Sequence, residues 1–244
     1  MKKKQISDSV EAALKDTSLQ DTVASLGEIA LDAALDSSVL RDIPVIGSIL
    51  GIGRAAITIK DRLFLNKLRY LLYEIESIPS HERQKMIDHI NQSGDFRVTV
   101  GEKILYIVDR CEDHQAAGII GKLFSAFLKG ELNYSDFLSL SATVDRMMYT
   151  DLIDFASTTW DSIRLDEATT LIGSGLIDVD QLIVEVENQT DRKSSKPYVV
   201  TGTDLTASIS RLGRVLRSAM TEHSTNVEPN TPGQPQGPPT HDNE

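Results

Sequence analysis

The stretch "IPVIGSILGIGRAAITIKDRL", Ile43 to Leu63, decides how the rest of the chain is read. It admits three readings: a membrane segment, a phosphate-binding glycine loop, or a tightly packed helical hairpin. The glycine loop fails on spacing. A P-loop beginning at Gly47 needs glycine at 52 and lysine at 53, and the chain has Ile52 and Gly53. The dinucleotide pattern GxGxxG is also missing, and no strand pattern precedes the segment.

A simple membrane span fares little better. The charge-free run, Ile43 to Gly53, is eleven residues long, which suits a buried or re-entrant segment more than a span. Extension to Ile59 reaches roughly 25 Å at the helical rise, short of a hydrocarbon core of about 30 Å. It also buries Arg54, at a cost of a few kcal/mol. Gly47 and Gly51 form GxxxG, a spacing that lets a neighbouring helix approach closely. Pro44, Gly47, Gly51, Gly53 and Arg54 are therefore read as a segment for helix packing, or for membrane action if it is ever exposed.

Charge is distributed unevenly around it. Residues 8–42 hold eight acids and two bases, a net of −6, whereas residues 54–70 hold five bases and one acid, a net of +4. An acidic arm and a basic helix are expected to fold back on each other as a charge-complementary hairpin. Release of the arm would leave an apolar segment with a basic flank, suited to anionic lipid. Lys60, Arg62, Lys67 and Arg69 are accordingly candidate contacts for an anionic partner, together with Arg192, Lys193 and Lys196 further on.

The chain as a whole carries −11 over 244 residues, which disfavours general nucleic-acid binding. Aromatic residues make up 5%, so the core must come mainly from Leu, Ile, Val and Ala. The single cysteine, Cys111, excludes an intramolecular disulfide. "MKKKQISDSVEAALKD" lacks an apolar region behind its basic start and reads as a solvated lead-in to a helix. A cytoplasmic location, with conditional membrane association, is expected.

Apolar periodicity predicts helices over most of the first two thirds. An amphipathic stretch from Ser9 to Val39 is divisible at Thr17–Ser18 or Gly27. "DRLFLNKLRYLLYEIESI" places Leu63, Phe64, Leu68, Leu71, Leu72 and Ile75 on one face and closes at Pro79. Ser80 is placed to cap a helix reaching about Asn91. Others follow from Val98 to Val108, from His114 to a glycine stop at Gly130, and from Asn133 to Thr158 along Phe137, Leu140, Val144, Met147, Met148, Leu152 and Phe155. Short connectors imply a bundle of antiparallel neighbours.

Beyond Trp160 the texture changes. A short helical pattern, "LDEATTLIGSGL", precedes Leu182, Val184 and Val186, which alternate with polar residues as in a strand. A polar turn leads to a second strand at Pro197–Val200, and "DLTASISRLGRVLRSAM" reads as a final helix. Helix, hairpin and helix outline a winged-helix module. Its helix before the hairpin carries Asp166 and Glu167 and no base, which is unsuited to DNA. Five of eight prolines fall in the last sixteen residues, and 222–244 is expected to be a disordered tail.

Chemistry-bearing patterns are sparse. Cys111 and His114 lie three apart without a second ligand pair, so no zinc site is assigned. Asp61-Arg62, Asp109-Arg110 and Asp145-Arg146 read as helix-surface or inter-helix ion pairs; Asp145, Asp151 and Asp154 do not share one face tightly. No catalytic, cofactor-binding or metal-ligating residue is assigned. No cofactor or small-molecule substrate is expected, and the chain is read as a non-enzyme.

"IPVIG…IKDRLFLNKL", "VGEKILYIVDR" and "GIIGKLFSAFLKGELNYSDFLSL" together resemble an uncharacterised family of bacterial helical proteins. That family combines an IP-[VI]-[VI]-G segment, a DRLF helix and this order of helices; the resemblance covers roughly residues 25–215 and implies a bacterial protein in a phage-defence or mobile-element setting. "LIGSGLI" and "YVVTGTDLTASISRLGRVL" are similar to the end of MarR-like winged helices, although Gly202 directly follows Thr201 and departs from their LTxxG spacing.

The expected architecture is mainly α: a multi-helix bundle over 1–159 with its glycine-rich hairpin at 43–59, a winged-helix-like module over 160–221, and the tail. The expected function is interaction with an unknown protein partner or a second copy, or regulation through such contacts. A membrane-active effector of the abortive-infection type using residues 40–70, and a DNA-binding regulator, are the alternatives.

Overall fold

The computed structural model describes residues 2–31, 47–48, 58–181, 184–188, 198–202 and 204–221. Within them the chain is mainly helical, with a small three-stranded antiparallel sheet and a two-stranded hairpin. Eight helices come first: α1 (Lys2–Lys15), α2 (Leu19–Leu31), α3 (Ile59–Tyr73), α4 (Ser80–Ser93), α5 (Val100–Arg110), α6 (His114–Leu128), α7 (Tyr134–Arg146) and α8 (Tyr149–Ser157). Strands β1 (Ser162–Arg164), β2 (Ile177–Val179), β3 (Val184–Asn188), β4 (Tyr198–Gly202) and β5 (Thr206–Ile209) follow, and α9 (Arg211–Thr221) closes the described chain.

The long amphipathic stretch at the N-terminus does break at Thr17–Ser18. Asp16 accepts hydrogen bonds from the Ser18 amide and hydroxyl at 3.0 and 3.1 Å, a local turn that competes with helix continuation. Gly27 does not divide α2. It lets Arg69 of α3 lie against the helix, with Nε 3.1 Å from where a Cβ would stand.

α2 packs on α3 through Leu19, Val23 and Leu26 against a face that buries Leu65, Leu68 and Leu72. Full burial of each such leucine is worth roughly 2 kcal/mol. The expected apolar face of α3 needs one correction: Leu63 is 60% exposed and Leu65 takes the buried position. Thr58 and Asp61 form a capping box at its start, so the helix begins earlier than Asp61. It ends at Tyr73, with turns filling the remainder up to Pro79.

Ser80 is already helical and does not cap α4. Pro79 holds that position, and its carbonyl accepts from the amides of Glu82 and Arg83. Gly94, at φ 73°, ends the helix in the left-handed region. The side-chain caps of α5, α6 and α7 are Thr99, Asp113 and Asn133, which accept from the amides of Glu102, Ala116 and Asp136.

α6 is the spine of the bundle. Ala116 to Gly121 and Leu123 to Leu128 are all buried, so the helix is covered all round rather than along the single stripe expected. Small residues make this work. A Cβ on Gly121 would stand 2.8 Å from the Leu71 carbonyl oxygen, so α3 approaches α6 to backbone contact. At its far end Phe124, Phe127, Tyr134 and Phe137 pack with ring centroids 5.2 to 6.2 Å apart.

The stripe from Asn133 to Thr158 is two helices rather than one. Met147 and Met148 both take extended backbone angles and turn the chain between α7 and α8. Met148 is 66% exposed, although the stripe placed it inside.

In the C-terminal part the sheet order is β1-β5-β2, all antiparallel, and β3 pairs with β4 from Val184↔Gly202 to Asn188↔Tyr198. The hairpin thus forms where alternation predicted it. One expected helix does not, and the expected final helix is shortened at its start to Arg211–Thr221. Leu165–Glu167 and Thr169–Leu171 are single 3-10 turns, and Gly173 and Gly175 at φ 77° and 82° prevent a longer helix. Residues 206–209 are strand: Ala207 and Ile209 face the core, while Thr206 and Ser208 donate to Asp180 at 2.8 Å. That period-two pattern overrides the helical spacing of Leu205, Ile209 and Leu212, and Leu205 is left exposed.

α9 returns to the bundle and packs on α8, α6 and α7. Arg217 lies over the rings of Phe155 and Trp160 at 5.1 and 5.4 Å and donates to the Trp160 carbonyl and the Thr158 hydroxyl. Arg211 pairs with Asp136 at 2.7 Å, which holds that carboxyl below its ordinary range.

Candidate functional site

Of the segment residues singled out above, Pro44, Gly51, Gly53 and Arg54 lie outside the described residues, as do Arg192, Lys193, Lys196 and residues 222–244. Gly47 is helical. Its neighbour Ser48 is buried, and its hydroxyl meets that of Ser9 on α1.

The basic residues of α3 do not act as one array. Lys67 turns inward and donates to the carbonyl oxygens of Cys111 and Asp109, the last acceptors of α5. Arg69 is half-buried beneath Gly27, with its guanidinium carbon 5.6 Å from the Tyr70 ring centre. Lys60 is exposed at the mouth of a cavity, and Arg62 is half-buried on the first full turn.

That cavity, about 210 Å³, opens between the start of α3 and the α5–α6 corner. Lys60, Leu63, Phe64 and Lys67 line one side; Asp109, Glu112, Asp113 and His114 line the other. Ile59 and Leu63, one helical turn apart, project beside it at 79% and 60% exposure. Two large aliphatic side chains are thus presented to solvent next to a rim with three carboxylates. Asp113 is held by its capping role, whereas Asp109 and Glu112 are exposed.

Cys111 and His114 do not converge. Cys111 is buried after the last turn of α5, where its thiol donates to the Ile107 carbonyl at 3.2 Å, and burial pushes its pKa up to about 11. A thiol in that state is a poor nucleophile at neutral pH. His114 begins α6 and packs on the Tyr70 ring at 4.6 Å. Among the described residues no group of three His, Cys, Asp or Glu is placed to hold a metal ion. No described helix is long and apolar enough to cross a membrane.

The Asp-Arg dipeptides separate by role. Asp61 completes the α3 capping box. Asp145 of α7 pairs across the bundle with Arg110 of α5, an inter-helix contact spanning 35 positions. This pair lies on the wall of a second groove of about 370 Å³ between α5 and α7, lined also by Lys103, Tyr106, Ile107, Leu138, Ser141, Ala142 and Arg146. Sequence reasoning found the pair as a type of contact but missed the groove, because nothing local brings residues near 106 against residues near 142. It also missed Arg83, which is 2% exposed on α4 and donates to the carbonyls of Leu14, Asp16 and Ile78.

Comparison with family models, with curated proteins and with solved structures returned no match.

Proposed function

We propose that this chain is a non-enzymatic interaction protein whose start of α3 docks a protein segment carrying an aliphatic anchor and basic residues. The observation that carries the reading is the exposure of Ile59 and Leu63 beside a cavity rimmed by Asp109, Glu112 and Asp113. Aliphatic anchors entering a pocket supply affinity, and the charged rim selects the partner. Lys67 is committed to backbone carbonyls, so the rim presents more negative than positive charge to an incoming surface. That balance favours a cationic protein over an anionic bilayer.

A membrane-active effector is the second reading. It is favoured by one feature: Ile59 and Leu63 directly follow the apolar segment and stand beside the exposed Lys60. The C-terminal part is read as a winged-helix-like module, supported by the β1-β5-β2 order and the β3–β4 hairpin. Arg164 bonds Asp166 and Glu167 in the 3-10 turn where a DNA-reading helix would lie, which supports contact with protein rather than DNA. A bacterial phage-defence or mobile-element setting accords with the family resemblance.

Leu63→Glu in the full-length chain tests both main readings. Crosslinked partners recovered with wild type and lost with Leu63→Glu, at unchanged circular dichroism and melting temperature, are expected. The same partner set with both proteins overturns the docking reading. Flotation of wild type with anionic vesicles, lost with Leu63→Glu, would replace it by the membrane reading.

A further inference from the structure

The groove between α5 and α7 is separate from the α3 cavity and is built differently. Its rim carries three cations, Lys103, Arg110 and Arg146, against one carboxylate, Asp145. Asp145 is occupied by Nη2 of Arg110, whose Nη1 and Nε have no partner among the described residues. Arg146 uses Nε on the Ala142 carbonyl at 3.1 Å, and neither it nor Lys103 meets a carboxylate among the described residues. The walls are Tyr106, Ile107, Leu138 and Ala142.

A second, independent observation lies in the wall. Ser141 is 2% exposed, and its hydroxyl, like those of Ser125 and Tyr134 elsewhere in the bundle, has no hydrogen-bond partner among the described residues. Helical serines ordinarily return such a hydroxyl to the preceding turn, as Ser139 does to the Ser135 carbonyl at 2.9 Å. Of these hydroxyls Ser141 is the one that lines the groove, which thus joins an unpaired buried donor, three cations and an apolar wall, groups suited to an anion with an organic body.

We propose that this groove binds a small phosphate monoester with a flat or apolar body, the phosphate meeting Arg110, Arg146 and Lys103 and drawing a hydrogen bond from the Ser141 hydroxyl behind them, and the body lying along Tyr106 and Leu138. Guanidinium groups match phosphate oxygens with paired donors, and Lys103 adds a point charge. The groove volume of about 370 Å³ falls within the range of small-ligand pockets. A regulatory ligand is thereby added to a chain whose proposed docking surface lies at another cavity.

Isothermal titration calorimetry of the full chain with adenosine monophosphate, adenosine and inorganic phosphate tests this. Saturable binding of the monophosphate, weaker binding of inorganic phosphate and none of adenosine are expected. Arg146→Ala and Lys103→Ala should each weaken the monophosphate roughly tenfold, the scale of one charged contact. Ser141→Ala supplies a readout that a purely structural role would not give: the free protein gains melting temperature while monophosphate affinity falls. No heat with the monophosphate at millimolar concentration, equal binding of adenosine, or affinity unchanged in Lys103→Ala and Arg146→Ala each overturns the proposal.

Discussion

Nε of Arg83 in α4 donates to the carbonyl oxygen of Leu14 in α1 at 2.8 Å, across 69 positions of sequence. The same guanidinium reaches the Asp16 and Ile78 carbonyls, so a single buried cation closes the last turn of α1 and the turn before Pro79. Burial lowers its pKa, with Asp16 opposing, yet arginine stays charged because its ordinary value is so high.

Arg83→Met should therefore cost about 3 kcal/mol, since it leaves buried carbonyls without a charged donor. Arg83→Lys should recover little of it, because an ammonium cannot span three acceptors in a planar fork. Urea denaturation followed by circular dichroism measures both. A loss below about 1 kcal/mol for the methionine variant would contradict the role given to the guanidinium.

Gly118 and Gly121, three residues apart on α6, make a matched pair. Gly118 has only a Tyr70 ring carbon, 3.7 Å from a built Cβ, whereas Gly121 faces the Leu71 carbonyl at 2.8 Å and Glu74 at 3.0 Å. Gly121→Ala should force α3 and α6 apart and cost about 2 kcal/mol. Gly118→Ala should gain up to about 1 kcal/mol from helix propensity. Opposite signs in thermal denaturation are the expected result.

Burial raises the pKa of Glu74, with Lys122 opposing and Glu76 adding to the shift. The native state then holds this proton more tightly than the unfolded chain does. Stability from Glu74 is fully present below the ordinary glutamate range near pH 4.3 and is lost as pH rises through the raised value. Glu74→Gln should raise the melting temperature at pH 7 and leave it almost unchanged at pH 3.5. Equal shifts at both pH values would argue for a packing effect instead.

Cys111 is buried and its thiol is pushed up to about pKa 11, chiefly by desolvation and against the nearby Lys67. Labelling by a disulfide reagent at pH 8 should be slower than for an ordinary thiol by a factor on the order of 100, because so little of a thiol with a pKa of about 11 is thiolate at that pH. In 6 M urea it should become fast. Rapid labelling of the native protein would place the thiol at the surface.

The amino-acid sequence by itself determined most of the helices, the break at Thr17–Ser18, the glycine stop after α6 and the β3–β4 hairpin. These depend on period, capping and turn chemistry within a few residues, and such signals are complete in a short window. The tertiary structure alone decided the rest. Helical and strand periods both fit Leu205 to Leu212, and pairing with β1 and β2 selected the strand. One stripe and all-round burial look alike for α6 until α3 and α7 close on its small residues. Leu63 reads as core in isolation, and only the packing of Leu65, Leu68 and Leu72 turned it outward. The reach of Arg83 to Leu14 and the meeting of Arg110 with Asp145 join positions 69 and 35 apart, where no local pattern records which partner a long side chain will find.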